Sequence, residues 1–255
     1  MSVAAITIVL YIIIFLFGIV IGSFLNVCIY RIPKKESIVF PHSHCMTCGY
    51  QLRWYDLVPL FSFLFLRGRC RKCHTKLSLQ YPLVEGMNGA LYVIVFLANG
   101  LNYVSVVYCL LTSALIVLSV LDFRTMEIAD GINLFILLLG IAATLLDLHA
   151  WKDHVIGMFS VSVFLLVIYL VTVGRGIGGG DIKLMFGAGL LLGWKGAVLA
   201  FFLGCIIGSV VHLIRMAVSH AEHRLAMGPY LSVGIWLTAL WGTSVIDWYI
   251  GMIIH

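Results

Sequence analysis

Asp122 and Asp181 are the residues whose type and setting most plainly offer chemistry. Asp122 closes the apolar run Leu118-Ser119-Val120-Leu121-Asp122, and Asp181 follows a glycine cluster in Gly178-Gly179-Gly180-Asp181-Ile182-Lys183. A carboxylate at membrane depth costs about 2.5–3.5 kcal/mol even on the lenient insertion scale, so it is a functional candidate by default. Two such groups can share a proton, one serving as acid and one as base. That is the minimum equipment for splitting a peptide bond with water and no metal. Gly178 and Gly180 are supporting candidates because glycine lets a substrate backbone come close. Lys183 either steers Asp181 or meets the membrane interface. Each acid alone also has an ordinary reading, Asp122 as a partner of Arg124 and Asp181 as the cap of the helix from Ile182. Asp130 is a rival for the first role, but its place just before the next apolar run suits a helix N-terminal acid.

The second chemical signal is Cys45-Met46-Thr47-Cys48 followed by Cys70-Arg71-Lys72-Cys73. Two C-x2-C knuckles at this separation suit one tetrahedral zinc site of four thiolates, closed and therefore structural. Gly49 and Gly68 flank them as turn residues, and His42, His44 and His74 are nearby substitutes for a cysteine ligand. Cys28, Cys109 and Cys205 lie in apolar runs and read as small packing residues.

The elements that must position these groups are membrane helices. Hydrophobic residues are 62% of the chain, charged residues 11%, and mean hydropathy is +1.09, more apolar surface than a soluble domain can bury. Residues 3–30 carry no charge and lack a basic segment before them, so the run reads as a retained transmembrane helix rather than a signal peptide. The run 86–121 is too long for one span and divides at Asn99-Gly100-Leu101-Asn102. Further runs cover 131–146, 154–174, 182–193, 196–214 and 225–246, which gives about eight hydrophobic helices. The short run 182–193 is expected to be a half-span or a helix packed inside the bundle. The fold class is thus an all-α polytopic membrane protein with a zinc-binding loop inserted between its first two helices. Its parts are a first transmembrane helix over 1–30, a four-cysteine loop over 31–81 and a bundle over 82–255.

Lys and Arg set the orientation. The connection 31–81 holds nine of the sixteen, which makes it cytoplasmic and puts the N-terminus outside. Eight crossings then place Arg124, Arg175, Lys183, Arg215 and Arg224 inside and leave only Lys152 and Lys195 outside. The C-terminus returns outside, and both aspartates reach the cytoplasmic face, where the reducing compartment disfavours disulfides among the four cysteines.

At this point the residues resemble a family, the bacterial type IV prepilin peptidases. The likeness runs nearly end to end, through Gly22-Ser23-Phe24-Leu25-Asn26-Val27, Tyr30-Arg31-Ile32-Pro33, Trp54-Tyr55-Asp56, Leu66-Arg67-Gly68-Arg69-Cys70 and Tyr81-Pro82-Leu83-Val84-Glu85. It continues through the Asp122 loop, Gly178 to Lys183 and Gly228-Pro229-Tyr230. The resemblance implies a GxGD aspartic protease of the inner membrane, with Asp122 and Asp181 as its catalytic acids. Such enzymes cut the leader of prepilins and pseudopilins after a glycine at the cytoplasmic face, and the new N-terminal residue is usually phenylalanine. Many then methylate the new N-terminus with S-adenosylmethionine, a step the resemblance links to Gly68 and Arg69. The chain departs from the family pattern at Ile128-Ala129-Asp130, where the family often has Ile-Pro-Asp, and at Ile177, where it often has Met.

A prepilin presents a cationic leader ahead of an apolar helix. Glu85, at the membrane edge of the second span, is the acid best placed to meet those cations, with a loop arginine as its alternative partner. The basic loop 31–81 suits anionic membrane lipid. Ser23, Asn26 and Tyr30 share one face of the first helix and read as interhelical hydrogen-bonding groups. No nucleic-acid partner is expected, and a homo-oligomer is left open. Two other function classes fit intramembrane acids: a proton- or ion-coupled transporter, and a non-catalytic scaffold whose metal loop docks a pilus-assembly machine.

Overall fold

The computed structural model describes residues 3–219 and 226–254. Arg224 and Leu225, used above for orientation and for the start of the last run, lie outside the described residues. All long elements are helices: α1 (Val3–Arg31), the short α2 (Phe61–Phe65), α3 (Gln80–Asn99), α4 (Tyr103–Thr125), α5 (Asp130–Leu146), α6 (Trp151–Val171), α7 (Gly179–Ser219) and α8 (Gly228–Ile254). Six of them are long and apolar enough to cross a membrane, and α5 is a shorter apolar helix. The chain divides into two units, Met1–Gly100 and Leu101–His255. Helix α3, grouped with the bundle when only the sequence is read, packs on α1 and belongs to the first unit.

Local chemistry sets these boundaries. Helix α3 ends at Gly100, whose φ of 76° is open to glycine, and the Asn102 side chain caps α4 by accepting from the Ser105 amide at 2.9 Å. The expected turn at 99–102 therefore stands. Ala129 stands where the resemblance often implies a proline, yet its φ of −64° is the angle proline would impose, so the turn into α5 suits either residue.

In the first unit, Asn88 Nδ2 donates to Gly18 O at 2.7 Å and Asn26 Nδ2 to Tyr81 O at 3.2 Å, which fixes α3 against α1. Asn26 thus fulfils the interhelical reading, whereas Tyr30 pairs with Lys34 close by on its own segment. Buried Arg31 donates to Ser37 O and Pro41 O at 2.9 and 2.6 Å and ties down the start of the loop.

In the second unit, α7 holds two of the expected segments. Gly193, with φ 71° and ψ 173°, breaks the helix into two arms. His154 Nδ1 lies 2.8 Å from Leu190 O and Phe159 stacks edge-on with Phe186, both in the first arm; further along α6, Phe164 meets Phe201 of the second. Moving along α6 therefore means moving away from Gly193 in both directions. The chain reverses at Gly193, and the two arms run side by side. The first arm is the deepest part of the unit: Leu184, Met185 and Ala188 are fully buried. It is the inward-packed helix expected of 182–193. Gly157 of α6 and Gly189 of this arm allow the closeness, because a Cβ on either would strike the other's backbone carbonyl.

Candidate functional site

The acids meet in the second unit. Asp122 stands in the last turn of α4 and Asp181 in the first turn of α7, and they are 5% and 9% exposed. Both line one cavity of about 340 Å³, within electrostatic reach of each other, together with Met126, Ile128 and Gly178 to Gly180. Asp122 is not committed to Arg124 as its main anchor; its Oδ2 accepts the Gly228 amide at 2.8 Å. Two acids held at one wall, near backbone that carries no side chains, can activate water and protonate a leaving group.

The neighbouring residues sort differently from their sequence reading. Lys183 does not steer Asp181: its Nζ lies 2.6 Å from Asp130 Oδ1, and both side chains are well exposed. That pair gives Asp130 the surface role of a helix N-terminal acid. Gly180 lines the cavity, and a Cβ there would stand 2.8 Å from Ile128 Cβ, so its bareness also serves packing against the α4–α5 turn. The open position is Gly179, where nothing lies within 4 Å of a Cβ, while a Cβ on Gly178 would stand 3.2 Å from Asp181 Oδ2. Sequence reasoning missed Asn133, buried on α5, whose Nδ2 donates to Gly180 O at 3.4 Å and holds the glycine loop. A lone amide in an apolar run was its only signal.

In the first unit the four cysteines converge, with all sulfurs within 4.8 Å of one another. Cys45 to Cys73 is 3.7 Å and Cys48 to Cys70 is 4.0 Å. A tetrahedron with Zn–S near 2.3 Å needs about 3.8 Å between sulfurs, so the donor set fits zinc closely. The two knuckles are copies of each other. Cys45 and Cys70 carbonyls accept from Gly49 and His74 amides at 2.9 and 3.0 Å, Ser43 and Gly68 carbonyls from Leu52 and Leu77 at 2.9 and 2.8 Å. Gly49 and His74 both have positive φ, at 67° and 56°. His74 thus fills a turn position, and no histidine joins the cluster among the described residues.

Four crowded thiols cannot all ionise without a cation. Cys73 is drawn down to about 6 by the Thr75 hydroxyl and amide. The Tyr50 amide would lower Cys48 as well, but desolvation and the surrounding sulfurs outweigh it and push that thiol up to about 11. Asp56 braces the knuckles: it accepts from Arg71 of the second at 2.7 Å and from Tyr50 of the first at 3.3 Å.

Glu85 is buried and accepts the Leu60 amide at 2.8 Å, so it holds the loop, and it also lines the cavity of this unit. Leu60 has a φ of 59°, which that bond helps to keep. A cavity of about 650 Å³ lies in this unit, lined by Asn26, Tyr30, Arg69 and Cys70 among others. Arg69 faces it; Gly68 does not line it, and a Cβ on Gly68 would stand 2.9 Å from the Phe63 ring.

Comparison with known proteins follows the same division. Residues 16–99 match the Bacterial Peptidase A24 N-terminal domain, and residues 109–213 match the Type IV leader peptidase family. The chain is 34% identical over 243 residues to a Prepilin leader peptidase/N-methyltransferase of Bacillus subtilis (strain 168), covering 94% of this chain and 98% of the relative. It is 31% identical over 273 residues to a protein of that description from Aeromonas salmonicida (strain A449), with 94% of each covered. The corresponding protein of Pseudomonas aeruginosa is 30% identical over 265 residues, with 92% and 91% covered. No solved structure matches the chain.

Proposed function

Because the chain belongs to the type IV leader peptidase family, we propose that Asp122 and Asp181 are the catalytic pair with which it cleaves prepilin leaders. The chain is a multi-pass membrane enzyme with protease and methyltransferase activity, and type IV prepilins are its substrates. The observation that carries the residue assignment is the burial of two carboxylates at one cavity beside a glycine loop.

The chemistry follows from the pair. Two adjacent anions in a poorly solvated site repel, so the dyad retains one proton. The ionised acid takes a proton from water, and the resulting nucleophile attacks the scissile carbonyl. The neutral acid protonates the carbonyl oxygen, and reverse proton flow expels the amine. The pair titrates as a unit.

Cys45, Cys48, Cys70 and Cys73 hold a zinc ion that is structural, because four thiolates leave no open coordination position. S-adenosylmethionine, when bound, supplies the methyl group for the new N-terminal amine. The first unit's cavity, at about 650 Å³, is within the size range of pockets for such ligands, and Asn26, Tyr30 and Arg69 are polar groups on its wall. The loop 31–81 and both aspartates face the cytoplasm, the basic loop touches anionic lipid, and Trp151–Lys152 and Trp194–Lys195 mark the opposite membrane interface.

The test is purified enzyme with a prepilin carrying a Gly-Phe junction, followed by mass spectrometry with and without S-adenosylmethionine. Wild type yields a new N-terminal Phe and, with the methyl donor, one added methyl mass. Asp122→Asn and Asp181→Asn each lose at least about 10²–10⁴-fold in cleavage rate. Cleavage persisting in either folded variant rejects that residue and makes Asp130 the next to change.

A further inference from the structure

Asp122 is anchored from a helix over a hundred residues away in sequence. Gly228 N–H donates to Asp122 Oδ2 at 2.8 Å. The donor sits in the first turn of α8, where the Met227 carbonyl accepts from the Tyr230 and Leu231 amides at 3.1 and 3.0 Å. The Gly228 amide is therefore one of the donors a helix leaves unpaired at its start, and Pro229 has no N–H to offer. The positive end of α8 faces a buried carboxylate as a result.

A second observation concerns space. A Cβ on Gly228 would stand 2.7 Å from Asp122 Oδ2 and 3.0 Å from its Cγ, and also 3.0 Å from Leu118 Cδ2. Gly228 is not among the residues with positive φ, so its backbone conformation does not call for glycine. What calls for glycine is room beside the acid. The Gly228-Pro229-Tyr230 element, distinctive in sequence but without a role there, acquires one at this contact.

We infer that Gly228 is a positioning residue for catalysis: its amide fixes the carboxyl plane of Asp122, and its bare Cα leaves the space that carboxyl occupies. The inference rests on the reading of Asp122 and Asp181 as the dyad. A carboxyl tethered through one oxygen loses free rotation about its last side-chain bond, so its other oxygen is delivered in one direction. An amide donated to a carboxylate also favours its charged form. The alternative is that Asp122 merely caps α8, in which case losing the contact costs stability and nothing else.

The deciding experiment uses full-length enzyme in detergent or lipid and the Gly-Phe prepilin. Wild type is compared with Gly228→Ala, with Gly251→Ala, and with a protein whose 228 amide is exchanged for an ester. Gly251 lies on the same helix with nothing within 4 Å of a Cβ, so it controls for helix propensity. The ester keeps the bare Cα and replaces the N–H with an oxygen; because it also weakens the Met227 carbonyl that accepts from Tyr230 and Leu231, thermal melting is followed beside kcat. Gly228→Ala should lose roughly 10²-fold in kcat, the scale of a displacement of about 1 Å, while KM stays within about twofold. The ester should lose roughly 10-fold or more, the scale of a hydrogen bond to a charged group. In both, the acid limb of the pH–rate profile should move to higher pH. Gly251→Ala should match wild type. If Gly228→Ala fails to fold, the ester protein decides. Wild-type kcat in the altered proteins, or reduced kcat with an unmoved profile, overturns the inference. Asp122→Asn in parallel separates the two readings. If that variant cleaves normally, the dyad assignment fails and the inference with it; if it is inactive while the 228 proteins are unaffected, the dyad stands and Gly228 has no positioning role.

Discussion

The cysteine cluster and the aspartate cavity are built in opposite ways. The cluster closes within one stretch, from Cys45 to Cys73, by two short knuckles with matching hydrogen bonds. The cavity draws on the end of α4, the start of α7, Asn133 of α5 and the first amide of α8. The first site is made by local turn geometry and depends little on distant packing. The second exists only once four helices have found their register. A local site should fail by losing its ligand, and a distributed site should fail by losing its geometry.

The largest effect that would sharpen this contrast is loss of the metal. Cys45→Ser or Cys70→Ser should reduce zinc from one per chain to near none by elemental analysis, and limited proteolysis should then cut within 31–81. The second unit's helices should melt as before. If their melting collapses together with the loop, the cluster is not the local device its turns suggest.

A smaller effect is expected at the helix contact behind the dyad. Gly189→Ala places a methyl against the Gly157 carbonyl, and overpacking of this kind costs about 1–3 kcal/mol. Thermal melting should fall, and cleavage should drop more than zinc content, which should stay at one per chain. Unchanged melting would mean that α6 and the first arm of α7 are less closely fitted than the contact implies.

The smallest effect concerns pH. Cys73 is lowered from 9.0 to about 6 by the Thr75 hydroxyl and amide, so at neutral pH it is a thiolate ready for metal. A lowered thiol favours the metal-binding form above its own value and loses that advantage as pH falls through about 6. Thr75→Val removes one of the two donors and raises the thiol, so acid-driven zinc release should begin at a higher pH. A release midpoint that does not move, read with a colorimetric chelator, would show that the hydroxyl contributes nothing once metal is bound.

The same contrast explains what could be read from the sequence. The C-x2-C spacing is local, and the four sulfurs meet as the spacing implied. The eight apolar runs and the turn at 99–102 are likewise local patterns, each matched by a helix or a helix end among the described residues. The acids were legible because a charge in an apolar run is conspicuous. Their supports were not. Nothing near Gly228 in sequence announces Asp122 as its partner, and the exposure natural to a glutamate at a membrane edge gives way, at Glu85, to a bond with the Leu60 amide. Adjacency in sequence sets Lys183 beside Asp181, but residues two apart on a helix point to different sides, and there Lys183 meets Asp130.

The reversal at Gly193 has a consequence for the depth at which bonds are cut. The first arm of α7 covers residues 179–192, and at 1.5 Å per residue it reaches about 21 Å, against about 30 Å of hydrocarbon. Helix α5 beside it has only 17 residues. On the proposed placement of Trp194 and Lys195 at one boundary, Asp181 falls short of the other. That placement requires the bilayer beside the site to thin or water to descend to it. A substrate junction would then meet the acids below the level of the lipid headgroups, where only a segment already lying in the membrane can follow.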